Sequence, residues 1–112
     1  MTINYTWQIH QMDTKPQQGN LNDVVVNIHW ERHATATESG KVYTMFLDGE
    51  MACSRPSETD FTAYPDLTYL QVCGWLDSGL NVSSIDNSLK SLIETKINPP
   101  TVVLPNPWDV TP

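Results

Sequence analysis

The hydrophobic period of this chain changes once along its length, and that change limits the folds open to it. In residues 3–12 and again in 23–33 apolar residues recur at alternate positions, and from Thr68 to Ile97 they recur at helical spacing. Strands followed by helices, with no alternation between them, point to an α+β fold in which an antiparallel sheet packs on helices. The expected architecture is an N-terminal antiparallel sheet of three to four strands on a C-terminal antiparallel helix pair. An extended proline-rich C-terminal arm follows.

In residues 3–12, Ile3, Tyr5, Trp7 and Ile9 share one face, and Asn4, Thr6, Gln8 and His10 the other. This is the pattern of a half-buried strand. Residues 13–22 carry Asp13, Pro16, Gly19, Asn20 and Asn22 and read as a loop. A second strand is expected over 23–33, with Val24, Val26, Ile28 and Trp30 inward and Asn27, His29, Glu31 and His33 outward. Pairing with the first strand would set aromatic residues against aliphatic ones, for example Trp7 beside Ile28. Residues 34–40 read as a polar turn and 41–47 as a third strand. Asp48-Gly49 reads as a turn before a short fourth strand at 50–54, and 55–60 as loop.

Two start signals coincide at Thr68. Thr68 and Gln71 form a capping-box pair, and Leu67 and Val72 hold the staple positions. Tyr69, Val72, Cys73, Leu76 and Leu80 make the apolar stripe of this helix, and Gly79 marks its end. Gly74 lies inside it, at a cost of about 1 kcal/mol relative to alanine, which suggests close approach of another backbone or ring. A second helix is expected over 82–97, with Val82, Ile85, Leu89, Leu92 and Ile93 as its stripe and Ser83-x-x-Asp86 as its cap. Asn98-Pro99-Pro100 stops it. The short link between the helices implies that they fold back on each other. The chain therefore divides into one domain, 1–98, and an arm, 99–112.

Composition excludes several roles. Thirteen acidic against six basic residues give a net charge of −7 over 112 residues, with the acids spread along the chain. Nucleic-acid binding, which needs clustered Lys and Arg, is not expected. No apolar run reaches membrane-span length, and residues 1–10 lack the n- and h-regions of a signal peptide. Cys53 and Cys73 are expected to be free thiols, although spacing alone leaves a disulfide open. Cys73 lies on the helical stripe and reads as core.

Candidate chemistry is sparse. His29, Glu31 and His33 alternate on one strand face, a donor set that zinc accepts, but a solvated face is the simpler reading. The acid pairs Asp48/Glu50 and Glu58/Asp60 fall in expected turns and loops. No nucleophile elbow, phosphate loop or dinucleotide fingerprint occurs. Neither a catalytic residue nor a metal or other cofactor is expected. Tyr5, Trp7 and Trp30 read as core. Trp75 falls off the main helical stripe, so it either fills the helix–sheet boundary or stands exposed as an interface anchor.

The arm is the stronger candidate for function. It holds five prolines between Pro99 and Pro112, together with Val102, Val103, Leu104 and the pair Pro107-Trp108, and it should be extended and polyproline-like. Ordering a residue costs roughly 1–2 kcal/mol. Burying one Trp is worth roughly 4–6 kcal/mol. Trp108 therefore needs Val102, Val103 and Leu104 to find a surface too. That surface lies either on the arm's own domain or on a neighbouring subunit.

Several marks together resemble a family of short proteins of tailed bacteriophages, including those infecting marine cyanobacteria. They are Tyr5-Thr6-Trp7-Gln8-Ile9, Ile28-His29-Trp30, Tyr64-Pro65-Asp66-Leu67-Thr68, Val72-Cys73-Gly74-Trp75 and Pro107-Trp108. The resemblance covers nearly the whole chain, although residues 41–56 depart from the pattern. The family has no assigned activity to carry over. The resemblance implies a non-enzymatic virion part made in the host cytoplasm, a capsid decoration or a neck or tail accessory. Its partners would be other virion subunits or further copies of itself. The competing expectations are a non-virion phage protein that binds a host factor, and a small metal enzyme using the His29/Glu31/His33 face.

Overall fold

In the computed structural model, which describes residues 2–54 and 61–108, three long strands precede two helices. Strands β1 (Ile3–Gln18), β2 (Leu21–Glu38) and β3 (Lys41–Ala52) form one antiparallel sheet in the order β1-β2-β3. A short 3-10 turn, Tyr64–Asp66, leads to α1 (Tyr69–Gly79) and α2 (Val82–Ile97). The fold is α+β, with the strands first and the helices second.

The strands are longer than their local signals suggest, for three physical reasons. The loop expected at residues 13–22 is mostly strand. Only Gly19 and Asn20 turn, because Gln18 pairs with Leu21. Gly19 has φ +59° at the first central position of this two-residue turn, where such hairpins use glycine. Pro16 is tolerated because β1 is an edge strand. The turn expected over 34–40 likewise shrinks to Ser39-Gly40, both at positive φ, 53° and 78°. Asp48-Gly49 does not turn at all, and β3 runs straight through it, so the fourth strand expected at 50–54 is the end of the third. Gly49 lies opposite Trp30, and a Cβ there would sit 2.7 Å from the indole Cζ2. The glycine makes room for a ring.

Two bulges reset the inward faces. His10 is an extra residue in β1, between the pairs Ile9–Trp30 and Gln11–His29. Val26 is an extra residue in β2, between Asp13–Asn27 and Thr14–Val25. Val25 therefore takes the buried place expected for Val26, and Met12 follows Ile9 inward. Trp7 pairs with Arg32, not Ile28, which lies opposite Met12.

Both helices cover one face of the sheet. The first core cluster joins Trp7, Val25, Ile28 and Trp30 to Val72, Cys73 and Leu76 of α1. Trp7 and Trp30 meet edge to face at 5.5 Å. The second joins Ala34 and Ala36 to Leu89 and Ile93 of α2, and Ile85 packs against both clusters. The small alanines let α2 lie close to β2.

The helix starts are those their caps specify. The Thr68 side chain accepts from the Gln71 amide, while the Gln71 side chain donates to Thr62 instead of closing the capping box. Asn81, not Ser83, caps α2, by accepting from the Ser84 amide. Gly74 has no neighbour within 4 Å of a built Cβ, so the close approach expected there is not found. The two glycines should thus respond oppositely to one substitution. Gly74→Ala should stabilise by about 1 kcal/mol through helix propensity, and Gly49→Ala should destabilise by about 1–3 kcal/mol through overpacking on Trp30. Urea midpoints of the two variants check both signs.

Candidate functional site

Helix α2 ends at Ile97, and the chain runs on into the arm. Residues 99–108 form neither helix nor strand. Val102, Val103, Leu104 and Trp108 are 67, 100, 75 and 79% exposed, and Pro107 is exposed beside Trp108. The apolar residues expected to seek a surface therefore stand clear of their own domain. The arm leaves at one end of the sheet, where Asn98 shares a shallow concavity with Glu38, Ser39 and Tyr43. No charged residue occurs between Pro99 and Trp108. Residues 109–112 lie outside the described residues.

Trp75 is not part of that surface. It is half-buried, packs against the first core cluster, and lines a cleft of about 430 Å³. Val24, Met51, Phe61 and Leu67 supply the cleft's apolar wall. Asp23 is the one charged side chain among its described lining residues. Cys53 also lines it, half-buried, with its thiol pushed up by burial. Cys73 is buried in the core, and both cysteines are free. Sequence reading missed this cleft because its walls come from β2, β3 and α1, which no local pattern links.

The opposite face of the sheet is polar. His29 lies between two carboxylates, with Nε2 at 2.7 Å from Asp13 and Nδ1 at 2.9 Å from Glu50. It thereby ties β1 and β3 together across β2. His33 instead stacks on Phe46, with ring centroids 5.3 Å apart, and its Nε2 is 3.6 Å from Glu31. His29, Glu31 and His33 thus share a face but not a focus. Among the described residues, no group of three or more His, Cys, Asp or Glu side chains is placed to hold a metal ion. Asp48 and Glu50 are exposed on β3, and Glu58 and Asp60 lie outside the described residues. No helix among the described residues is long and apolar enough to cross a membrane.

The His29 and Asn27 hydrogen bonds hold the Asp13 carboxyl below its ordinary value. The stability it contributes is complete above the unfolded pKa, near 3.9, and is lost as pH falls through the lower folded value. Asp13→Asn should therefore be less stable than the parent at pH 7, and the gap should close as pH falls below the unfolded value and through the lower folded one. Urea titrations of both proteins at a series of pH values measure it.

A second polar group sits on the helix side. Arg32 forms a two-point pair with Asp86 of α2, at 2.9 and 3.1 Å, and its guanidinium lies 4.6 Å from the Trp7 ring centre. The Trp7 indole donates to Asp77 of α1 at 2.8 Å, and the Tyr69 hydroxyl donates to the Trp7 carbonyl. This network locks both helices to the sheet, and it explains why Asp86 does not serve as a cap.

The family model described as "Domain of unknown function (DUF7936)" matches residues 2–108, a span that includes the arm through Trp108. No curated protein and no solved structure matches the chain.

Proposed function

We propose that this chain, which belongs to the DUF7936 family, is a non-enzymatic docking subunit of a bacteriophage particle. It acts there as a capsid decoration or as a neck or tail accessory. The observation that carries the docking reading is the arm, with Val102, Val103, Leu104 and Trp108 exposed and no charge among residues 99–108. Exposed apolar residues of this kind mark interaction surfaces, and a Trp near the end of such a segment is a favoured anchor. The particle setting rests on the resemblance of the Leu67–Trp75 run and the closing Pro107-Trp108 to short tailed-phage proteins. The polar face favours the same reading over metal chemistry, since His29 is engaged by Asp13 and Glu50 and His33 by Phe46.

In this reading the protein is made in the host cytoplasm and incorporated during assembly, with other virion subunits as partners. Quantitative mass spectrometry of purified particles tests it. Hundreds of copies per particle mean capsid decoration, and six or twelve mean neck or tail. Absence from particles would overturn the virion reading and leave binding to a host factor.

A further inference from the structure

We infer that the free edge of β3 pairs with the β3 edge of a second copy, antiparallel about a two-fold axis at Phe46, so that the two sheets become one continuous sheet. This surface is separate from the arm, and the inference does not rest on the docking reading.

The sheet has two edges, β1 and β3, and β3 is the unprotected one. Along β1 the ladder is broken by bulges at His10 and Val26, and the strand carries Pro16. Bulges and edge prolines are devices that blunt an edge against further pairing. β3 contains no proline and pairs with β2 over all 12 of its residues without a register shift.

The ladder decides which groups face outward. The Cys53 amide donates to the Val26 carbonyl at 2.9 Å, so odd residues of β3 bond to β2 and even ones turn their amides and carbonyls to the edge. Val42, Thr44, Phe46, Asp48 and Glu50 therefore present a row of alternating donors and acceptors. Lys96, in the last turn of α2, donates to the Thr44 carbonyl at 3.1 Å, as an outward carbonyl allows. The same residues set their side chains on the face away from the helices, where Val42 and Phe46 are 59 and 51% exposed.

Such an edge takes an added strand through main-chain bonds, and the order of residues in β3 selects a second copy. Two identical edges about a two-fold axis normal to the sheet run antiparallel. Asp48 and Glu50 lie towards one end of β3, and residues 41–47 hold no acid and one lysine, Lys41. Antiparallel pairing lays the acidic end of each strand against the acid-free end of the other. Two chains that each carry −7 need that arrangement to meet.

Charge and length also fix the register. With Phe46 opposite Phe46, Thr44 faces Asp48 and Val42 faces Glu50, and no acid has an acid opposite or diagonal to it. An axis at Leu47 would make the two Asp48 side chains diagonal neighbours, and an axis at Asp48 would set them face to face. An axis at Met45 would shorten the pairing, because Ser39 and Gly40 turn away. The Phe46 register joins residues 41–51 of both copies, roughly 36 Å of strand with about ten main-chain hydrogen bonds. The Asp48 amide of the other copy replaces Lys96 at the Thr44 carbonyl. The two Phe46 rings, each stacked on its own His33, meet at the axis as a cross-strand aromatic pair.

Sedimentation velocity of the full-length chain and three variants tests this. The parent should dimerise with rising concentration. Thr44→Pro removes an outward amide and leaves the β2–β3 ladder whole, so it should weaken association at least tenfold. Phe46→Lys and Phe46→Glu each set like charges across the axis. Each alone should be monomeric where the parent is dimeric, and their equimolar mixture should associate. Circular dichroism melts establish which variants are folded. Amide hydrogen exchange of the parent at low and high concentration needs no variant. The amides of residues 42, 44, 46, 48 and 50 should exchange at least tenfold more slowly in the concentrated sample. A parent that is monomeric at every concentration, or that dimerises with no added protection at these amides, would overturn the inference. So would folded variants that dimerise like the parent, or a mixture of folded Phe46 variants that stays monomeric.

Discussion

Replacing Arg32 by alanine should lower the unfolding free energy by about 3 kcal/mol and the melting temperature by about 12 °C. The Arg32 and Asp86 side chains are only 12 and 21% exposed, so the pair is largely withdrawn from water. Removing the guanidinium leaves the Asp86 carboxylate on the inner side of α2 without its cation, and a buried charge that has lost its partner is what makes such changes costly. It also removes the cation over the Trp7 ring at 4.6 Å. Asp86→Ala should cost a similar amount by stranding Arg32 instead. The double variant should cost less than the two singles together, since neither charge is then left alone. Thermal and urea unfolding of the three variants measure this. If each single variant cost less than about 0.5 kcal/mol, the pair would be behaving like a surface ion pair, and its role in locking the sheet to α2 would be refuted.

Arg32 also shows where sequence reading stopped. Trp30, Arg32, Ala34 and Ala36 occupy one parity of β2, so a charge sits in an otherwise inward-facing row. Sequence reading ended the strand at His33 and so did not see that row; with the strand at its full length Arg32 needs a buried partner, whose identity depends on how α2 crosses the sheet. The helices were legible because their signals are local. Thr68, Asn98 and the Pro99-Pro100 stop act within one turn, and Val72, Cys73, Leu76, Leu89 and Ile93 are buried where the spacing puts them, whereas Tyr69 and Leu92, expected in the same stripes, stand exposed. The strands were legible in existence and poorly in extent. Gly49 carries the same sequence signal whether it turns the chain or admits the Trp30 ring, and only the cross-strand neighbour decides. The bulges at His10 and Val26 moved Met12 and Val25 inward by parity shifts that no alternation could reveal. The candidate site was half visible. The arm's apolar residues stand out in sequence, whereas the cleft gathers β2, β3, α1 and residues 61–62 and exists only in three dimensions.

Truncation after Asn98 should leave the domain as stable as the parent, within about 0.5 kcal/mol, while abolishing incorporation into particles. These two results belong together because they discriminate between the two surfaces the arm could use. An arm strapped across its own domain would bury Trp108, a contribution of roughly 4–6 kcal/mol, and its loss would unfold a domain of ordinary marginal stability. With Trp108 79% exposed and Val103 fully so, the domain gains no such burial from it. Among the described residues, the core clusters likewise draw none of their members from beyond Ile97. Removing the arm therefore takes away, among the described residues, apolar side chains that the core clusters do not use. What it does take away is the segment least costly to order on a partner, since prolines at 99, 100, 105 and 107 already restrict the free chain and reduce the entropy lost on docking. Unfolding curves of the truncated and parent proteins give the first result, and particle composition after assembly with each gives the second. A truncated chain that unfolds several kcal/mol more easily would show that the arm belongs to its own core. A stable truncated chain that still enters particles would show that docking runs through another face, of which the polar sheet surface around His29, His33 and Phe46 is the next to examine.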